Sequence, residues 1–406
     1  MTSHRTAAEM CRYTSERPSF ARRLGVCLAS ALLFAPPLMA HAATETLLHV
    51  FFGPVDGALP FGGVTLGRSG MIFGTTSIGG SLGYGTVYAL TPSGVETVLA
   101  YFNGTDGSGA MAPPVPDPTD ANVLLGTTEY GGAGFGSETA GNGILFAQSA
   151  IVPGIPRLLH GFSGGAGGAH PMARLVADAH GNLFGTTTDE KTRDGAVFEL
   201  SATGHYKILH HFSGPDGDNP VGVLAIGPGG TLYGVTRFGG SSGFGTVFSL
   251  ALTGSFATLY NFPAYVYPNG GLYRDRPGNL YGVTEVGGTY NDGILYRLAP
   301  AGTLTVLHSF GATGDGVDPT GAPIADAHGT LFGTTTYGGT VSDGTVFSFS
   351  RRAGETILYS FGSIFSDGVN PSLVGGSLAI DAGGNLYGAT EYGGNGSNGT
   401  VFKITP

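Results

Sequence analysis

A seven-bladed, all-β propeller is the fold this sequence predicts, on three observations. Glycine supplies 74 of 406 residues, against an ordinary share near 7 %, and it falls between short runs of β-branched and aromatic residues, as hairpins require. A motif of two apolar residues, glycine, any residue and threonine recurs seven times. The first strand-like segment after residue 42 and the last three of the chain together complete one further four-stranded unit.

The repeats give each strand in turn. The motif glycines are Gly74, Gly126, Gly185, Gly234, Gly282, Gly333 and Gly388, at intervals of 48 to 59 residues, and each has its threonine two positions on, from Thr76 to Thr390. A second strand follows with an aromatic at its third position: Tyr88, Phe146, Phe198, Phe248, Tyr296, Phe347 and Phe402. A third ends in phenylalanine, at Phe51, Phe102, Phe162, Phe212, Phe262, Phe310 and Phe361. The fourth opens at a proline (Pro60, Pro113, Pro171, Pro220, Pro268, Pro319, Pro371), where a missing N–H costs a sheet no ladder bond, and runs to a tight turn such as residues 326–329. Four short strands per ~50 residues is a propeller blade.

The ends of the chain fix the order within a blade. If the strand from Thr46 to Phe52 joins the C-terminal blade and closes the ring, it is the outermost strand, and the strand after each proline is innermost, around a central channel. The Thr-x-x-Gly-Gly loops and the Asp-Gly loops between blades then share one face, and the Asp-x-x-Gly turns lie on the other. Closure would remove the sheet edges that invite aggregation.

Residues 1–42 read as a signal peptide: Arg22 and Arg23 precede an apolar run over 24–35, then Pro36, Pro37 and the small-residue site Ala40-His41-Ala42. The run is too short to cross a bilayer, so the propeller over 43–406 is expected to be secreted or periplasmic, with no membrane span. Cys11 and Cys27 both fall in this leader, which removes disulfides, thiolate zinc sites and cysteine nucleophiles from the mature chain. Without the leader's five arginines and two glutamates the formal net charge is about −13. A chain so acidic, with Arg351-Arg352 its one adjacent basic pair, is not expected to bind nucleic acid.

The repeated Leu-Tyr-Gly-x-Thr-x-x-Gly-Gly and Gly-Thr-Val-Phe elements resemble the GloVer (choice-of-anchor) tandem repeat family of secreted bacterial proteins, across essentially all of 43–406. The resemblance implies a secreted repeat protein and carries no catalytic residue. The third copy departs from it in lacking the Gly-Gly pair, and no sorting tail follows the last strand, so surface anchoring is not expected.

The variation just after the motif threonine marks the candidate site. That position holds Ser77, Glu129, Thr188, Arg237, Glu285, Thr336 and Glu391, and the next holds Ile78, Tyr130, Asp189, Phe238, Val286, Tyr337 and Tyr392. Glu129, Tyr130, Arg237, Phe238, Glu285, Tyr337, Glu391 and Tyr392 would therefore ring the mouth of one face. Aromatic faces beside carboxylates suit carbohydrate or another polyhydroxylated envelope or extracellular component. The alternatives are aromatics packed between blades in a purely structural repeat protein, and a glycoside hydrolase or polysaccharide lyase with a carboxylate pair among Glu129, Glu285 and Glu391.

Two further patterns read as architecture. The Asp-Gly pairs at Asp56, Asp106, Asp216, Asp315 and Asp367 are turn chemistry, with calcium an alternative at Asp216, Asp218 and Asn219 and at Asp315 and Asp318. Outer-strand His49, His160, His210 and His308 share their slot with Tyr260, Tyr359 and Ala100. Each histidine belongs to a different blade, so they are expected to fill space at the rim, with no metal site.

Overall fold

A computed structural model describes residues 43–136, 140–188, 194–263, 265–362, 367–371 and 375–406. The expected signal peptide lies outside them. The chain is all-β, with three 3₁₀ turns as its only helical segments among the described residues, and none of these is long and apolar enough to cross a membrane.

The sheets follow the repeats and form a propeller. In the first, Thr65–Leu66, Ile72–Thr76, Thr86–Leu90 and Glu96–Tyr101 run in chain order from one edge to the other, all antiparallel. The same order holds in the sheets beginning at Val115, Val176 and Gly316. The last sheet orders Ala379–Ile380, Leu386–Thr390 and Thr400–Thr405, and its outer strand is Thr44–Val50, paired antiparallel with Thr400–Thr405.

Five sheets stand as discrete four-stranded blades, where the sequence predicts seven. The two meanders beginning at Asp218 and Pro268 merge into one eight-stranded sheet through a single parallel bridge between Val223 and Gly271. Glycine is the reason. A Cβ on Gly222 would lie 2.2 Å from the carbonyl carbon of Gly270, so the two inner backbones approach more closely than any side chain would permit.

The motif glycine and the aromatic of the next strand are cross-strand partners in every repeat, from Gly74 opposite Tyr88 to Gly388 opposite Phe402. The aromatic side chain lies across the glycine: a Cβ there would meet its atoms at 2.2 to 2.6 Å. These glycines are required by space, whereas the loop pairs such as Gly239-Gly240 and Gly338-Gly339 have positive φ and are required by conformation.

Each outer strand carries a bulge opposite that aromatic. The register shift leaves one unpaired residue, and it is leucine every time: Leu48, Leu99, Leu159, Leu209, Leu259, Leu307 and Leu358. A bulge re-aims its residue and increases strand twist. These leucines accordingly turn into hydrophobic clusters shared by successive repeats, such as that of Phe73, Val87, Leu99, Leu124 and Phe146. Another cluster packs Phe51, Tyr387 and Val401 of the last sheet on Val64, Ile72 and Tyr88 of the first.

Innermost segments of several repeats also meet one another. Gly375 and Gly376 accept hydrogen bonds from Arg174 N (2.7 Å) and Ala322 N (3.0 Å), and Cβ atoms on these glycines would collide with backbone at Met172 and Gly62. Small residues at the innermost turns let these backbones approach so closely.

Candidate functional site

The motif threonine builds the loop that carries the candidate positions. Its hydroxyl donates to the carbonyl two residues on, in Thr128 to Tyr130, Thr236 to Phe238, Thr284 to Val286, Thr335 to Tyr337 and Thr390 to Tyr392, at 2.7–3.0 Å. The motif threonines Thr76, Thr236, Thr335 and Thr390 also share a hydrogen bond with the threonine that opens the next strand, as in Thr335 and Thr345 at 2.8 Å. The residues between are thereby held in one backbone geometry. As expected, these loops lie beside the Asp-Gly loops on one face: Asp218 pairs with Phe238, Val317 with Tyr337, and Val369 with Tyr392.

Three successive repeats place charge together. The Arg237 guanidinium pairs with the Glu285 carboxylate of the next repeat and lies over the Phe238 ring, 5.7 Å from its centroid. Asp318, from the repeat after that, completes the group. Burial pushes its carboxyl up to about 7, the nearby Glu285 charge pushes the same way, and Arg237 and the Thr336 hydroxyl oppose them. Asp318 takes φ of +58° just before Pro319, a left-handed conformation that Leu59, His170, Asn219 and Asn370 also adopt before their own prolines. Non-glycine residues adopt it rarely, and such strain concentrates at functional sites. In the second repeat Gly109 adopts it, followed by Ala110, so Pro113 is not the counterpart of the other prolines.

Tyr337 and Tyr392 are the exposed aromatics of this arc, at 47 % and 40 %. The Tyr392 phenol is raised first by its hydrogen bond to Glu391, then by burial and by the Glu391 and Tyr337 charges, while burial raises Glu391. Six of the eight candidates thus lie on four successive repeats. Glu129 and Tyr130 sit apart from that group. Glu129 is buried at 7 % exposure, its carbonyl lies 3.2 Å from His170 Nδ1, and the Tyr130 ring meets His170 edge-on at 5.3 Å. The carboxyl that feels the Glu285 charge is Asp318, a residue the sequence offered only as a calcium ligand; its position before Pro319 was the available signal. Asp189 lies outside the described residues.

The Asp-Gly aspartates face the rim. Asp56, Asp216 and Asp315 meet His49, His210 and His308 at 3.0, 2.8 and 2.9 Å, and Tyr359 donates to Asp367 at 2.9 Å. Histidine and tyrosine share the slot because both reach that carboxylate, so the side chain does more than fill space. His160 instead stacks on Tyr206 at 3.7 Å.

Fold and loops together define a repeat-built β-propeller. The profile of the Gloeobacter/Verrucomicrobia repeat matches residues 60–266, 136–320 and 263–406, and the chain belongs to that family. A search of the curated proteins finds no match. Among solved structures it is similar to the extracellular domain of a candidate one-component system of B. thetaiotaomicron, at 9 % identity and TM-score 0.55 over 87 % of this chain and 39 % of that one. It is also similar to a candidate 6-phosphogluconolactonase of Bacteroides uniformis, at 16 % identity and TM-score 0.50 over 79 % and 88 %. At these identities the likeness is one of fold, and the chain spans about two-fifths of the length of that extracellular domain.

Proposed function

We propose that this is a secreted, ring-closed propeller of seven blades that binds a polyhydroxylated extracellular ligand, a carbohydrate or cell-envelope component, through its Thr-x-x-Gly-Gly face. Counting the two meanders of the eight-stranded sheet as separate blades gives the seven, and the pairing of Thr44–Val50 with Thr400–Thr405 supports closure. Export through residues 1–42 belongs to the same reading. The carrying observation is the arc itself: exposed Tyr337 and Tyr392 beside Glu391, flanked by Asp318, Glu285 and Arg237. Flat rings for sugar faces and charged groups for hydroxyls are what such a ligand requires. Glycan-array binding should fall at least tenfold in Tyr337→Ala/Tyr392→Ala, and binding that survives both substitutions refutes this face.

One observation favours a hydrolase as second reading. Burial raises the Asp318 carboxyl to about 7 in the neighbourhood of Glu285, and a carboxyl that still carries a proton near neutrality can serve as a general acid. Polysaccharide cleavage abolished by both Asp318→Asn and Glu285→Gln would establish it. Binding without cleavage leaves the first reading.

A further inference from the structure

We propose that two rim joints are binding sites for a borderline divalent cation of the zinc class, one formed by His49, Asp56 and Glu96 and the other by His308, Asp315 and Glu355. In each set one nitrogen and two carboxylate oxygens lie within 4.8 Å of one another. In the first, His49 Nε2 is 3.0 Å from Asp56 Oδ2 and 3.7 Å from Glu96 Oε2. Ligands about 2.1 Å from a tetrahedral zinc ion are roughly 3.4 Å apart, the midpoint of those two separations. One imidazole with two carboxylates suits zinc and its neighbours, whereas calcium takes six to eight oxygens.

Three features indicate a built site. The second oxygen of each aspartate is already engaged, Asp56 Oδ1 by Phe52 N at 2.8 Å and Asp315 Oδ1 by Gly316 N at 2.7 Å, which turns Oδ2 toward the histidine. Such outer contacts orient metal ligands. Each imidazole is set edge-on against a buried phenylalanine, His49 on Phe51 at 4.8 Å and His308 on Phe310 at 4.7 Å, so its rotamer is fixed before any ion arrives. Glu96 Oε1 and Glu355 Oε1 are sealed from water with no hydrogen-bond partner, a costly state for a carboxylate that an ion beside it would offset.

The members of each set come from three successive segments. His49 is on the outer strand Thr44–Val50, Asp56 is in the following loop, and Glu96 is on the next sheet's outer strand. His308, Asp315 and Glu355 repeat this around the sheet that begins at Gly316. A cation here would clamp one blade's rim to the next. The chain also holds an internal control: at the joint between these two, Tyr359, Asp367 and Glu45 occupy the corresponding places, with a neutral phenol where the nitrogen would be.

The test is zinc uptake by the full chain, without an affinity tag, dialysed against micromolar ZnCl₂ and measured by elemental analysis beside melting curves with zinc or EDTA. Two equivalents are expected, one lost in His49→Tyr, one in His308→Tyr and both in the double variant, with zinc raising the Tm of the wild type most, of each single variant less, and of the double variant not at all. These variants copy the tyrosine joint and should fold. The proposal is overturned if the wild type takes up no zinc, or if the double variant binds as much as the wild type, since exposed His180 and His328 would then be the ligands.

Discussion

Gly333→Ala isolates the contact on which every sheet is built. Gly333 has no positive φ, so alanine meets no conformational penalty there, and the loss of glycine's freedom in the unfolded chain would favour it by about 0.4–1 kcal/mol. Space decides the sign. The new methyl would lie 2.6 Å from Phe347 Cζ and 2.9 Å from Cε1, roughly 0.8 Å inside ordinary contact. Phe347 is fully buried, edge-on to Phe310 at 5.0 Å and packed among Val283, Leu295 and Leu331, so the ring has nowhere to go. Overpacking of this kind costs about 1–3 kcal/mol, which outweighs the entropic gain. A net loss near 1–2 kcal/mol lowers the Tm by about 1–3 °C in a domain of this size.

Differential scanning calorimetry on Gly333→Ala, Phe347→Leu and the double variant measures this directly. Leucine removes the colliding ring edge, so the double variant should be more stable than the sum of the two losses by roughly 1 kcal/mol. Gly161→Ala is the control: its Cβ would meet nothing within 4 Å, its φ is not positive, and its Tm should hold or rise slightly. A Gly333→Ala protein that melts with the wild type, or two effects that simply add, would refute the steric account.

Thr335→Val should cost about 1–3 kcal/mol in thermal or urea melts, because the hydroxyl is buried and its loss strands the Tyr337 carbonyl and the Thr345 hydroxyl; an unchanged melt would count against the loop scheme. Burial raises the carboxyls of Glu45 and Asp318 to about 7, against an ordinary value near 4, so the folded state binds these protons more tightly than the unfolded chain. Their contribution is therefore complete below about pH 4 and lost as the pH rises through about 7, and Tm should fall between pH 5 and pH 8, less steeply in Glu45→Gln/Asp318→Asn. Removing residues 43–50 bares the edge of Thr400–Thr405 and should yield aggregates in light scattering, whereas a monomeric truncated chain would show that this pairing is dispensable.

Most of this frame is legible in the sequence because spacing and contact are the same fact. Gly333 and Phe347 recur together along the chain since they stand opposite each other in the sheet. The face shared by the two loop types followed from strand alternation alone. What could not be read depends on ångström-scale approach. Small residues mark the innermost turns, yet the sequence does not show that Gly222 and Gly270 let two inner strands pair and merge their sheets, or that Gly63 bridges Ser377. For the candidate site, the motif threonine announced where Arg237, Glu285 and Tyr337 would lie. That Asp318 falls near the first two depends on the left-handed backbone of the residue before Pro319; its place before a repeated proline is visible in the sequence, but its conformation is not. The rim was half legible: an aspartate seven residues after His49 and His308 is visible in the chain, while the glutamate of the following outer strand is meaningful only once two blades are packed.

The joint between the chain's two ends has a cost the others lack, and the strand arrangement answers it. Asn398 and Phe51 are 347 positions apart and in contact, whereas other joints connect residues about 50 apart. On the logarithmic dependence of loop closure, that sevenfold difference costs about 1.7 kcal/mol more. A joint made by side chains alone would resemble the other joints and leave this deficit. Placing Thr44–Val50 inside the last sheet adds six backbone-paired positions across the joint, from Thr44 with Thr405 to Val50 with Thr400. At about 0.5–1.5 kcal/mol net per hydrogen bond, even part of that ladder exceeds the extra cost. The same insertion brings His49 to the rim beside Asp56 and Glu96, so the strand that holds the ends together also assembles the proposed cation site.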